Sequence, residues 1–381
     1  MIKVSACSLL SIDERGRNLE KIGLRQLFLV MLAFEVGSAI IFSLGAEAKQ
    51  NAWFAVLVGM GFGLVLVSVF TKLSGYYPGH SFIEIIQNIF GRLIGFPLSI
   101  TYILYFTSQA ARISRDFTEL IISTILVGTP ALVIISSFVA VIIYTLRGGI
   151  EVFGRMAEMV FPVVMVVFLA TWIIVCASGV VDPTQLSPVL GGELSSIWQD
   201  AFPILTSLPF GELIAFTMVW TGIKDNRKLK TVGRAVVLSG GILLSLNIAG
   251  MISVLGSPLY SRLNYPLLAT VRMASVADFL ERIDAVVILL MVAGGFFKVG
   301  VYLYAAAVGT AHLFQLQSYR SVLVPLGTII VTLGLIMARN VVEHNVIGLE
   351  FLMTYGHLPL QFVIPALLLI IAYFHEKRRA S

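Results

Sequence analysis

Ser207-Leu208-Pro209-Phe210-Gly211-Glu212 interrupts an apolar run, residues 200–222, that is otherwise long enough to cross a bilayer. Pro209 removes a backbone donor and crowds the preceding turn, Gly211 permits dihedrals that other residues avoid, and Pro203 lies a turn before the stretch. Backbone of this kind survives at membrane depth only where protein or a water-filled cavity satisfies the freed groups. A second interruption, Glu35-Val36-Gly37-Ser38-Ala39, falls in the apolar run 24–46. Either motif alone reads as a kinked packing helix. Interrupted helices at matching positions of two halves point to a binding site near the bilayer midplane.

The rest of the chain supports that frame. Of 381 residues 58% are hydrophobic and 12% charged, with a mean hydropathy of +0.94, which excludes an ordinary soluble enzyme and a disordered protein. Ten spans are predicted: 24–46, 52–75, 94–125, 130–147, 157–178, 200–222, 231–256, 284–312, 320–338 and 356–374. The stretch His80–Phe90 reads as an interfacial helix, as does Glu151–Glu158, and 258–283 reads as a segment folded over one face. With both termini cytoplasmic, eighteen Lys and Arg fall inside, and five (Lys49, Arg262, Arg272, Arg282, Arg339) fall outside. Nine or eleven spans would spoil that asymmetry. The expected organisation is a cytosolic tail 1–23, a membrane domain 24–375 with halves at about 24–178 and 200–374, and a cytosolic tail 376–381.

Charges inside the spans carry the functional information. Glu35, Glu212 and Lys298 each cost on the order of 3 kcal/mol at a helix centre, so each needs a partner or a cavity. Lys298 shares a helix face with Tyr302. Two readings stand side by side: Lys298 takes the place where a sodium-coupled protein holds its cation, or it forms an ion pair with Glu35 or Glu212. In span three, Arg112 with Asp116 and Arg115 with Glu119 are four apart and able to neutralise each other near the outer surface, as a vestibule or partner contact. Deeper in that span, Tyr102 and Tyr105 read either as packing residues or as hydroxyls facing a ligand. The five histidines show no metal spacing, two cysteines make no disulfide framework, and no nucleotide or hydrolase motif is present. No enzyme, cofactor, metal or nucleic-acid reading has support.

Gly37-Ser38-Ala39-Ile40-Ile41 resembles the small-residue break of the amino acid–polyamine–organocation transporter superfamily. Four further stretches bring the chain closer to one group within it: Gly149-Ile150-Glu151-Val152-Phe153-Gly154-Arg155, Leu186-Ser187-Pro188-Val189-Leu190, Leu208-Pro209-Phe210-Gly211-Glu212, and Lys298 with Val301-Tyr302-Leu303-Tyr304-Ala305. Together, over about residues 20–375, they resemble the B subunit of spore germination nutrient receptors. The resemblance implies an all-α, LeuT-like fold of ten transmembrane helices in a 5+5 inverted repeat, with helices one and six broken. It implies a small nutrient, an amino acid or sugar, bound between those helices and spans three and eight. It also implies a receptor A subunit and a lipoprotein C subunit as partners in the spore inner membrane.

The residues expected to hold the ligand are Gly37, Ser38, Ala39, Tyr102, Tyr105, Pro209, Phe210, Gly211, Glu212 and Tyr302, with Glu35 and Lys298 as coupling or structural charges. Unwound backbone at the two breaks would hold a zwitterion, Glu212 or Glu35 would balance an ammonium, and Phe210 would shape an apolar pocket. The competing reading is a proton-coupled, sodium-independent amino acid transporter; a conducting subunit for ions or water is a third.

Overall fold

The computed structural model describes residues 22–191, 194–223, 226–274, 284–338, 343–344 and 347–380. Among them the regular structure is entirely helical. Its α-helices are α1 (Leu24–Val36), α2 (Ala52–Tyr76), α3 (Phe82–Thr124), α4 (Ala131–Arg147), α5 (Ile150–Ala177) and α6 (Leu194–Gln199). They continue with α7 (Asn226–Leu255), α8 (Ser257–Tyr260), α9 (Pro266–Ala274), α10 (Asp284–Leu313), α11 (Leu323–Ile336) and α12 (Ile364–Ala380). Eight helical segments are long and apolar enough to cross a membrane, and α4 is a shorter apolar helix. This is an integral membrane protein.

Two segments form its centre. In Ala285–Leu313 83% of the apolar window is buried, and in Ser195–Met218 78%, whereas in Ile150–Ala177 only 28% is. Small residues explain how α10 reaches the middle, since they let backbones approach closely where no water-driven force pulls helices together. A Cβ on Gly294 would lie 2.5 Å from the Cα of Gly37, and one on Gly300 would lie 2.5 Å from the ring of Phe153. α10 packs along α3, α2 along α7, and α1 against α5, α7 and α10.

Local chemistry sets the boundaries. Ser81 and Glu84 form a reciprocal cap at the start of α3, with the Ser81 amide donating to Glu84 Oε2 at 2.9 Å. Gly91, at φ +68°, then separates residues 82–90 from the long remainder. The expected interfacial helix at Glu151–Glu158 is instead the first part of a continuous α5, because no residue there leaves helical geometry. Of the segment 258–283, residues 266–274 form α9 and 275–283 lie outside the described residues.

In the first predicted span the helix ends within the interruption Glu35–Ala39. α1 stops at Val36 after 13 residues, about 20 Å of rise. Gly37 takes φ 13° and ψ −112°, and the chain runs through turns to a 3-10 segment at Ala46–Asn51. Side chains satisfy the backbone this frees. Asn247 donates to the Ile40 carbonyl at 2.8 Å, Tyr260 to Leu44 at 2.7 Å and Ser261 to Ala46 at 3.0 Å. The Ala48 amide donates to the buried Asp200 carboxylate at 2.6 Å.

Candidate functional site

The 207–212 stretch also leaves α-helical geometry. After α6 the chain passes through a π-type segment, Asp200–Leu205, in which Phe202 is extended at φ −135° and ψ 125°. It turns at Leu208-Pro209 and continues as a 3-10 helix, Phe210–Met218. Two departures from regular helix therefore lie in the interior, and a polar cavity of about 180 Å³ opens between them. Ser38 and Ala39 line it from one side and Leu208, Pro209 and Glu212 from another. α3 contributes Gln109, Arg112, Ile113, Asp116 and Glu119; α10 contributes Lys298. Phe42, Ser43, Leu44, Asn264, Tyr265 and His344 complete the wall, with the Phe42 and Tyr265 rings 5.7 Å apart.

Lys298 and Glu212 form its charged floor. Lys298 Nζ lies 2.5 Å from Glu212 Oε2, both side chains are nearly fully buried, and the ammonium also stands 5.6 Å from the Phe34 ring centre. In an interior of low dielectric such a pair persists because separating it would leave a bare charge. Of the two partners considered for Lys298, the structure selects Glu212. Glu35 is completely buried, and neither of its oxygens has a hydrogen-bond partner among the described residues. It packs on the bare Cα of Gly240, where a Cβ would come within 3.0 Å of its carboxyl carbon.

The remaining expected ligand residues divide. Gly37 faces a separate apolar void of about 20 Å³, lined by Ile40, Phe161, Phe168, Leu290 and Phe297 among others. Phe210 turns away from the polar cavity toward α2, where a Cβ on Gly63 would lie 2.6 Å from its own. Tyr102 donates to the Leu360 carbonyl at 2.7 Å. Tyr105 lies 2.7 Å from His357 Nδ1 and accepts from Gln361 Nε2 at 2.7 Å. Gly211 abuts the Gln361 amide, and the buried Tyr302 hydroxyl meets no hydrogen-bond criterion among the described residues. Ser38, Ala39, Pro209, Glu212 and Lys298 thus share the cavity; Gly37, Tyr102, Tyr105, Phe210, Gly211 and Tyr302 surround it without lining it.

Sequence reasoning missed the His357–Tyr105–Gln361 cluster. Its signal was there: a histidine and a glutamine four apart in an otherwise apolar last span. The α3 charges also sort differently from their spacing. Arg115 pairs with Glu119 as expected, but Asp116 pairs with His344 Nε2 at 2.7 Å instead of with Arg112. A neighbour distant in sequence has outcompeted the one four residues away.

Comparison with known proteins agrees with this architecture. Residues 21–342 match the family described as spore germination protein. The chain belongs to that family. It is 35% identical over 359 residues to spore germination protein KB of Bacillus subtilis (strain 168), covering 94% of this chain and 96% of that one. Spore germination protein YndE of the same organism is 25% identical, over 70% and 73% of the two chains. Among solved structures, MhsT in complex with L-phenylalanine aligns with a TM-score of 0.66 over 90% of this chain and 88% of that one, at 15% identity. Mhp1, a nucleobase-cation-symport-1 family transporter with bromovinylhydantoin bound, aligns with a TM-score of 0.63 over 85% and 74%, at 13% identity. The family is the one the sequence motifs resemble, and the fold is the LeuT-type transporter fold.

Proposed function

We propose that this chain is the membrane subunit of a spore germinant receptor, which binds a small nutrient, an amino acid or a sugar, in the polar cavity. The observation that carries the reading is that both irregular segments, Ser38-Ala39 and Leu208-Pro209, meet around one void floored by the Lys298–Glu212 pair. The eight long spans, with α4 and α1 added, make ten crossings in two halves of five, each half opened by a broken helix. Both termini are cytoplasmic, as the distribution of basic residues requires. A nutrient that binds one packing of the two halves more tightly shifts the population, and a receptor A subunit and a lipoprotein C subunit read that shift.

Direct binding of a nutrient panel to the purified chain tests this, with saturable binding of at least one compound expected. The transporter fold of its structural neighbours favours one second reading, proton-coupled amino acid transport. Accumulation of ligand in proteoliposomes holding this chain alone would establish transport and count against a pure sensor. Both readings make Lys298 a fixed substitute for a cation, so the wild type responds independently of sodium. An equal response of the wild type with and without sodium is expected, and a response that rises with sodium would overturn this role of Lys298.

A further inference from the structure

Every acidic side chain in the polar cavity is already engaged. Glu212 holds Lys298, Glu119 holds Arg115, and Asp116 holds His344. Arg112 is different. Among the described residues its guanidinium has no ion pair and no hydrogen bond, although it lines the cavity above the Lys298–Glu212 floor. Its expected partner, Asp116, is turned aside by His344 Nε2 at 2.7 Å. The backbone of Gly348 lies against it, and a Cβ at 348 would fall 2.1 Å from the guanidinium carbon, so a side chain there would push Arg112 aside.

A planar fork of five donors, held against backbone and facing a half-enclosed polar void, is complementary to a carboxylate, which it can grip with two parallel hydrogen bonds. We infer that Arg112 is the carboxylate anchor of the cavity, so that the nutrient recognised here is a small carboxylic acid, such as an amino acid or a hydroxy acid, and not a neutral sugar. This rests on the cavity being the nutrient site. The α-carboxylate sits on Arg112, and the rest of the molecule points down toward Gln109 and the charged pair. The anchor lies on α3, apart from the unwound backbone at the two breaks.

The experiment measures binding of four probe sets to the purified full-length chain: L-amino acids, their α-amides, the matching α-hydroxy acids, and neutral hexoses. The acids should bind roughly 10- to 100-fold more tightly than their amides, the worth of charge-assisted hydrogen bonds. Arg112→Gln should bring the acid down to the amide, and Arg112→Lys, which keeps the charge and loses the fork, should fall between. The acid-to-amide ratio on the wild type needs no variant and stands even if Arg112→Gln fails to fold. Equal binding of acid and amide, an acid preference that survives in Arg112→Gln, or binding of hexoses alone would overturn the anchor and leave the receptor reading standing. Binding of none of the four sets would overturn both.

Discussion

Two voids lie on either side of one turn. Gly37 and Ile40 face the apolar void between α1, α5, α7 and α10, while Ser38 and Ala39 face the polar cavity beneath α3. The difference in size, about 20 against about 180 Å³, reflects the chemistry that fills each side. Phe161, Phe168 and Phe297 close the first with carbon that needs no partner. The second is lined by charged side chains, Arg112, Asp116, Glu119, Glu212 and Lys298, most of them held in pairs. The same irregular backbone is thus a tight packing joint on one side and the wall of a polar pocket on the other. Stability should reside on the first side and selectivity on the second.

Substitutions can break that division. The largest effect should come from Lys298→Ala, which leaves Glu212 charged and buried; removing one member of such a pair costs about 3–5 kcal/mol. The folded yield in detergent should collapse, and adding Glu212→Leu should recover most of it. Failure of the second change to rescue would show that the pair is not the origin of the loss. On the apolar side, Gly294→Val drives a side chain into Gly37 and should cost about 1–3 kcal/mol, seen as a lower melting temperature. An unchanged melting temperature would contradict the close approach of α1 and α10.

Tyr105→Phe deletes the hydroxyl shared by His357 and Gln361 and should cost about 1–2 kcal/mol. If melting is unaffected, that cluster does not tie α3 to the last span. The smallest effect belongs to Glu35→Met. Its carboxyl has no hydrogen-bond partner among the described residues, so an apolar chain of similar length should be neutral or stabilising by about 1 kcal/mol. A clear drop in melting temperature would mean that Glu35 is held by a partner after all.

Much of this was legible in the sequence, for identifiable reasons. Charge in an apolar span is so costly that Glu35, Glu212 and Lys298 announce themselves, and Gly and Pro mark where helix cannot continue. Partner choice was not legible. Spacing allowed Arg112–Asp116 as readily as Arg115–Glu119, and only the fold brings His344 to Asp116. Side-chain direction in non-α helix was equally hidden. Phe210 opens a 3-10 segment, so the period that would aim it at the cavity does not apply, and it meets Gly63 instead. In the first span the place where helix stops was legible, since α1 ends at Val36 beside Gly37, but the course of the chain through turns to a 3-10 segment was not.

From Met353 to Val363 the last span is wound as a π-type helix, the loosest of the helical forms, with Pro359 inside it. A widened turn is the footprint of an added residue, and it can be undone by removing one. Shortening the chain by a residue at Met353 or Thr354 would rotate everything before the cut by about 100° relative to the rest of the span. If the slack were instead absorbed within the coil, the widened turn would tighten to ordinary α-helix, and His357 and Gln361 would leave Tyr105 together. The contacts of His357 and Gln361 with Tyr105 therefore depend on the wide turn being kept.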